Sequence, residues 1–429
     1  MSMGHEVRYR VRGGRQLRGT VFVQGAKNAV LPMIGVSLLA AKGRTVLRNV
    51  PIIEDVRRAV ELAQAIGAKA ELHEAERTLV IDASTLSSPV LPAEIASRFR
   101  GSFLFVPALL HRLGEAVIEG VGGCNLGSRN LDFHYNGFKR MGATVTEQVS
   151  GEEGSIHIKA GELRGGTLYL DTPSHTGTEN LLMAAALGKG TTLIKNCALE
   201  PEVLDVIELL SRMGAKIKGG GTGFITVEGV DELTAVEHTV MPDRIDAGVF
   251  VMAAAITGGE ISLVGASLEH LGVAADKLEQ MGVEFAQHGA VLQVRRKRPL
   301  RPINVVTDEY PGFATDLQSP IMAVSCLADG PSYIYERIFD GRFKLADELT
   351  KMGADIDVDG NRAKVHGGAS LRGAEVVAHD LRTGSALVLA GLAAQGETTI
   401  TSAYYLDRGH AHIAERLSML GADIEREVG

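Results

Sequence analysis

Val203-Leu204-Asp205-Val206-Ile207-Glu208-Leu209-Leu210-Ser211-Arg212-Met213-Gly214-Ala215 is the stretch that decides the fold. Val203, Val206, Ile207, Leu210 and Met213 follow i, i+3, i+4, i+7 spacing, the period of an amphipathic helix. Gly214 stands where a helix C-cap glycine is expected, and a small residue and a strand follow. The same ending returns at Ile66-Gly67-Ala68, Met141-Gly142-Ala143, Met281-Gly282-Val283, Met352-Gly353-Ala354 and Leu420-Gly421-Ala422. Successive glycines lie about seventy residues apart, so the chain reads as one structural unit repeated six times.

Each unit carries a second kind of helix, apolar on every side. Leu181–Leu187, Val249–Ile256 and Ala386–Leu392 are examples. Helices of this kind belong in a core. Each is followed by a glycine turn and a strand, as in Gly188-Lys189-Gly190-Thr191-Thr192-Leu193-Ile194. Short strands flank Gly219-Gly220-Gly221-Thr222-Gly223, which reads as a hairpin turn. The fold class expected is α/β, with two pseudo-symmetric domains of three units. One spans 27–241; the other combines 1–26 with 242–429, and Val240–Arg244 is the crossover. Small-molecule sites favour the cleft between two such domains.

A chain of 429 residues fits two cores better than one. Charged residues make up 22% and hydrophobic residues 45%, an ordinary globular balance. The net charge of −8 argues against general nucleic-acid binding. Cys124, Cys197 and Cys326 are scattered and lack zinc-ligand spacing, which fits reduced thiols in a cytoplasm. No apolar run is long enough to cross a bilayer, and the N-terminus lacks the apolar core of a signal peptide.

Several stretches could carry chemistry. Gly122-Gly123-Cys124-Asn125-Leu126-Gly127-Ser128-Arg129 sets a thiol among glycines beside a fixed cation. It reads as a reactive thiol with a lowered pKa or as a small apolar residue in a turn. Lys27-Asn28, after Gln24-Gly25-Ala26, suits an anionic ligand or a solvated turn. Arg98 and Arg100 precede a helix start, where arginine and free N–H groups hold phosphate or simply meet solvent. Asp316 opens an apolar helix as a cap or a general base. Arg382 and Arg408 lie near unit junctions and could be ordinary ion pairs. The glycine run at 219–223 lacks the lysine of a P-loop. Arg295–Arg298 reads as a solvated basic turn before Pro299. His410 and His412, spaced i, i+2 on an expected helix, do not make a metal pair.

Taken together, the six units, Gly25-Ala26-Lys27-Asn28, Gly122-Gly123-Cys124 with Arg129, Pro242-Asp243-Arg244-Ile245, Thr315-Asp316, Asp380-Leu381-Arg382 and Asp407-Arg408-Gly409 resemble the UDP-N-acetylglucosamine 1-carboxyvinyltransferases. The resemblance runs over essentially the whole chain, in order. It implies the inside-out α/β barrel fold, with units of βαβαββ pattern. It also implies transfer of the enolpyruvyl group of phosphoenolpyruvate to the sugar 3-hydroxyl, the first committed step of peptidoglycan synthesis. On this resemblance Lys27, Arg129 and Arg408 match contacts to phosphoenolpyruvate, with Arg382 beside them. Cys124 matches the loop thiol that protonates the methylene carbon and is alkylated by fosfomycin. Asp316 matches the carboxylate that takes the hydroxyl proton. Asn28, Arg100, Arg129, Leu131, Ser174, Thr176, Asp316 and Ile338 fall on positions that hold the nucleotide sugar. Glu200 and Asp243 match acidic residues near the site. Phosphoenolpyruvate and a uridine nucleotide sugar are the implied partners; no metal or organic cofactor, nucleic acid or membrane is implied, and the expected compartment is the cytoplasm.

The chain departs from the pattern mainly on the acceptor side. His175-Thr176-Gly177 stands where Val-Gly-Ala is usual, and Asp340-Gly341-Arg342-Phe343-Lys344-Leu345 where Glu-Asn-Arg-Phe-Met-His is usual. Tyr404-Tyr405-Leu406 and His410 replace Tyr-His-Ile and Tyr. A second expectation is therefore an enolpyruvyl transferase with another nucleotide acceptor, such as UMP in nucleoside-antibiotic biosynthesis. A third is an inactive paralogue that binds nucleotide sugars.

Overall fold

The computed structural model describes residues 7–97, 100–120, 132–150 and 153–429. These form two compact units, Gly25–Met241 and Met1–Gln24 with Pro242–Gly429. Among the described residues there are six four-stranded sheets, three per unit, all of one pattern. Thr167–Tyr169 runs parallel to Thr191–Lys195, which pairs antiparallel with Phe224–Glu228, which pairs antiparallel with Lys216–Lys218. The last pair is the hairpin around the glycine run.

The parallel pair requires a crossover, and the helix His175–Ala186 supplies it. Gly177 through Ala186 are all buried, as an all-round apolar helix must be. In Gly25–Met241 it packs with Lys27–Ser37 and Val106–Leu113; in the other unit Arg244–Thr257, Gln318–Ser325 and Leu381–Ala393 pack together in the same way. Each unit thus keeps helices at its centre. The sheets cover them with alternating rows: Leu168, Ile194 and Ile225 are buried, whereas Tyr169 and Phe224 are exposed.

Pro201–Arg212 is the outer, amphipathic helix. Its buried face includes Asp205 and Leu209, while Ile207, expected in the stripe, is only half-buried. Asp205 turns inward because it has partners there. It lies 2.8 Å from His238 and accepts the Met241 N–H at 2.8 Å. The glycine that ends this helix has φ of 111°, and Gly67, Gly142, Gly282, Gly353 and Gly421 also lie in the left-handed region. Only glycine enters that region without a Cβ penalty, which explains the sixfold period.

The unit boundary falls two residues earlier than the division expected at 26/27. The Ala26 N–H donates to Met241 O at 2.7 Å. A Cβ on Gly25 would lie 1.7 Å from Asn49 O. Both residues are therefore bound into Gly25–Met241, and the backbone contacts that place them there leave no mark on local composition.

Candidate active site

In Gly25–Met241, Lys27 opens the helix Lys27–Ser37 with its ammonium 2.6 Å from Asp55, in the first turn of Glu54–Ala65. The Lys27 side chain is 15% exposed and that of Asp55 4%. A cation at a helix start opposes the helix dipole, and the buried carboxylate offsets this. Asn28 is half-buried in the next position. Ser174 caps His175–Ala186 by accepting the Gly177 N–H at 3.1 Å, with Thr176 exposed in the first turn. The first N–H groups of such a helix point outward and attract anions. Glu200 is the N-cap residue of Pro201–Arg212. Arg100 begins the 3₁₀ helix Arg100–Phe105. Arg98, Cys124, Arg129 and Leu131 lie outside the described residues.

The segment after residue 131 is firmly held. His134, in the helix Asp132–Arg140, shares a 2.9 Å hydrogen bond with Asn180, and burial pushes its imidazole down to about 4. The other two cysteines are buried. Burial raises Cys197 to about 11 and Cys326 to about 12.

In the other unit, Asp316 sits in the 3₁₀ turn Thr315–Leu317 ahead of Gln318–Ser325. It does not cap that helix. Arg382 donates to its Oδ2 and Arg342 to its Oδ1 at 3.3 Å. Arg342 also donates to Thr315 O at 2.8 Å and lies over the Phe339 ring. Asp380 caps the helix Leu381–Ala393 by accepting the Arg382 and Thr383 N–H groups, fixing where Arg382 begins. Buried Glu336 accepts the Thr315 hydroxyl and the N–H groups of Ile338 and Phe339. Glu336 thus binds the Asp316 turn to the Ile338 segment. Asp243 caps Arg244–Thr257 through the N–H groups of Ile245 and Asp246.

Arg408 follows the short helix Tyr404–Asp407 and is anchored on both sides. Asp407 accepts from Tyr9 at 3.2 Å and from Arg426 at 2.6 Å. Gln24 donates to Gly409 O and accepts the Ala411 N–H. His410 is buried 3.0 Å from Asp246, which Arg416 holds with two bonds of 2.6 and 2.9 Å. His410 and His412 precede the helix Ile413–Met419 rather than lying on it; His412 is left-handed at φ 49°. Arg295 and Arg296 belong to the strand Val291–Arg296 rather than a turn, and Arg295 pairs with Glu284 at 2.6 Å.

The structure therefore brings Asp316 and Arg382 together, and adds Asp55, Arg342 and Glu336 to the residues singled out from sequence. Asp55 carried one available signal, an acid on the apolar face of an amphipathic helix. Glu336 carried none.

Solved structures share this architecture. The enolpyruvyl transferase NikO from Streptomyces tendae matches with a TM-score of 0.90 at 27% identity, over 99% of this chain and 100% of its own. EPSP synthase from Acinetobacter baumannii matches in fold, with a TM-score of 0.75 at 19% identity over 98% and 100%. The fold is that of the enolpyruvyl transferases. The family model described as EPSP synthase (3-phosphoshikimate 1-carboxyvinyltransferase) matches residues 11–417. The UDP-N-acetylglucosamine 1-carboxyvinyltransferase of Thermobifida fusca is 71% identical over 430 residues, covering 99% of each chain. A namesake from Halalkalibacterium halodurans is 45% identical over 97% of this chain and 94% of its own. The chain belongs to the EPSP synthase family and, within it, to the UDP-N-acetylglucosamine 1-carboxyvinyltransferases.

Proposed function

We propose that this protein transfers the enolpyruvyl group of phosphoenolpyruvate to the 3-hydroxyl of UDP-N-acetylglucosamine and releases phosphate. The observation that carries the reading is Asp316, a carboxylate aimed by Arg382 and Arg342 and joined through Glu336 to the Ile338 segment. The full-length similarity supports it.

The chemistry assigns roles as follows. Lys27, Arg129, Arg382 and Arg408 meet the phosphate and carboxylate of phosphoenolpyruvate. Cys124 gives a proton to the methylene carbon, which leaves positive character on the adjacent carbon. The sugar oxygen attacks there while its proton passes to Asp316. The tetrahedral adduct then loses phosphate and a methyl proton, leaving the enol ether. Asn28, Arg100, Leu131, Ser174, Thr176 and Ile338 hold the nucleotide sugar. The product feeds cell-wall synthesis in the cytoplasm, and fosfomycin alkylates Cys124. Among the described residues no helix is long and apolar enough to cross a membrane.

Phosphate release from phosphoenolpyruvate tests the reading, with UDP-N-acetylglucosamine and UMP compared as acceptors. Release with the nucleotide sugar supports it. Release with UMP alone keeps the chemistry and replaces the acceptor.

A further inference from the structure

Glu179 lies one turn into the helix His175–Ala186, wholly buried, and among the described residues neither carboxyl oxygen has a hydrogen-bond partner. An ionised carboxylate in that position would lack both water and donors, a cost that neutralises the group instead. Its neighbours reinforce this. Burial first, then Glu202 and Glu200 at the start of Pro201–Arg212, hold the Glu179 carboxyl far above the usual range. Three basic groups on helices packed against it have partners of their own. Lys27 pairs with Asp55, His111 with Ala184 O, and His134 with Asn180. Arg100 begins the remaining packed helix, and its side chain is not among those described.

Among the described residues, the basic group that faces Glu179 is His175, whose Nε2 is buried 3.5 Å from Glu179 Oε1. The rest of the ring is partly exposed at the first helical position, beside Ser174 and Thr176. This buried acid, which makes no hydrogen bond among the described residues, thus stands directly behind a ring set at an anion-attracting helix start.

We propose that His175 and Glu179 form a proton-sharing pair that charges the acceptor site when the diphosphate of the nucleotide arrives. The Glu179 O–H bond breaks, a bond from that proton to His175 Nε2 forms, and the resulting imidazolium donates its Nδ1–H to a phosphate oxygen. The carboxylate left behind faces the new cation, so no proton enters from solvent. This rests on the reading that the Ser174–Thr176 turn holds the nucleotide. It makes His175 a specificity-determining contact for a diphosphate, and Glu179 a positioning residue that acts through it.

UDP binding to the full chain, measured by calorimetry between pH 6 and 9, tests the pair. Glu179→Gln removes the internal proton, so its Kd relative to wild type should rise with pH, reaching about tenfold above the range where histidine is ordinarily charged. His175→Val should weaken UDP by about tenfold at every pH, with UMP much less affected. A Glu179→Gln ratio that stays flat with pH, or His175→Val binding as tight as wild type, overturns the proposal. Turnover of UDP-N-acetylglucosamine with a flat ratio would sink the relay alone. Absence of UDP and UDP-N-acetylglucosamine binding by the wild type would remove the acceptor reading and the relay together.

Discussion

Arg382 and Asp316, 66 residues apart in the chain, are joined by a guanidinium–carboxylate hydrogen bond, with Arg342 donating to the other carboxylate oxygen. A carboxylate held by two arginines has a fixed direction, which a general base needs more than high basicity. Asp316→Asn should lower turnover by about 10²–10⁴-fold while the protein still folds cooperatively, with a loss of stability from the two arginines left without their carboxylate. Steady-state rates and denaturant melts on one preparation check this. Near-normal turnover would reduce the residue to a structural ion-pair member.

Lys27 and Asp55 form a largely buried pair, so removing one charge strands the other. Asp55→Asn should cost about 2–3 kcal/mol of stability. It should also raise the KM for phosphoenolpyruvate, because the ammonium loses the anchor that aims it. Urea unfolding and KM determinations read the two effects separately. An unchanged KM would place Asp55 in stability alone.

Thiol chemistry separates the cysteines. Burial pushes Cys197 up to about 11 and Cys326 up to about 12, so near pH 8 neither holds much thiolate. Iodoacetamide and fosfomycin on the native protein should mark Cys124 alone, and denaturation should expose the other two to iodoacetamide. Cys124→Asp keeps a proton donor without the soft nucleophile, so it should stay active and resist fosfomycin. Peptide mass spectrometry decides: an early adduct on Cys197 or Cys326 would contradict the assignment.

Asp246 sets an acid limit on the Arg408 loop. Burial alone would raise its carboxyl, but Arg416 and His410 outweigh burial and hold it well below the usual range. A depressed folded value stabilises above the unfolded pKa, about 3.9, and that stabilisation fades as pH falls below it. Melts should therefore show a loss below about pH 4 that Asp246→Asn makes shallower, with the variant less stable at neutral pH. Identical acid limbs in both proteins would remove Asp246 from this role.

The fold was legible because one backbone requirement repeats. Each unit ends its outer helix on a left-handed residue, and only glycine meets that need cheaply, so the glycines print the period on the sequence. The all-round apolar helices announced the core for a similar reason. The site was less legible. Lys27, Asp316, Arg382 and Arg408 stood out as charged residues near turns, but nothing local says which cation meets which acid. The Lys27–Asp55 and Arg382–Asp316 pairs are set by helix packing across the chain. Glu336 was invisible because its three bonds go to a hydroxyl and two backbone N–H groups, which have no sequence pattern.

The most direct test of the account is the structure of the product formed from phosphoenolpyruvate and UDP-N-acetylglucosamine. Long-range proton–carbon NMR should place a carboxyvinyl ether on the sugar 3-oxygen, with one phosphate released per product. Phosphate without the ether, an ether at another oxygen, or an ether formed on UMP while the nucleotide sugar stays unchanged would contradict it.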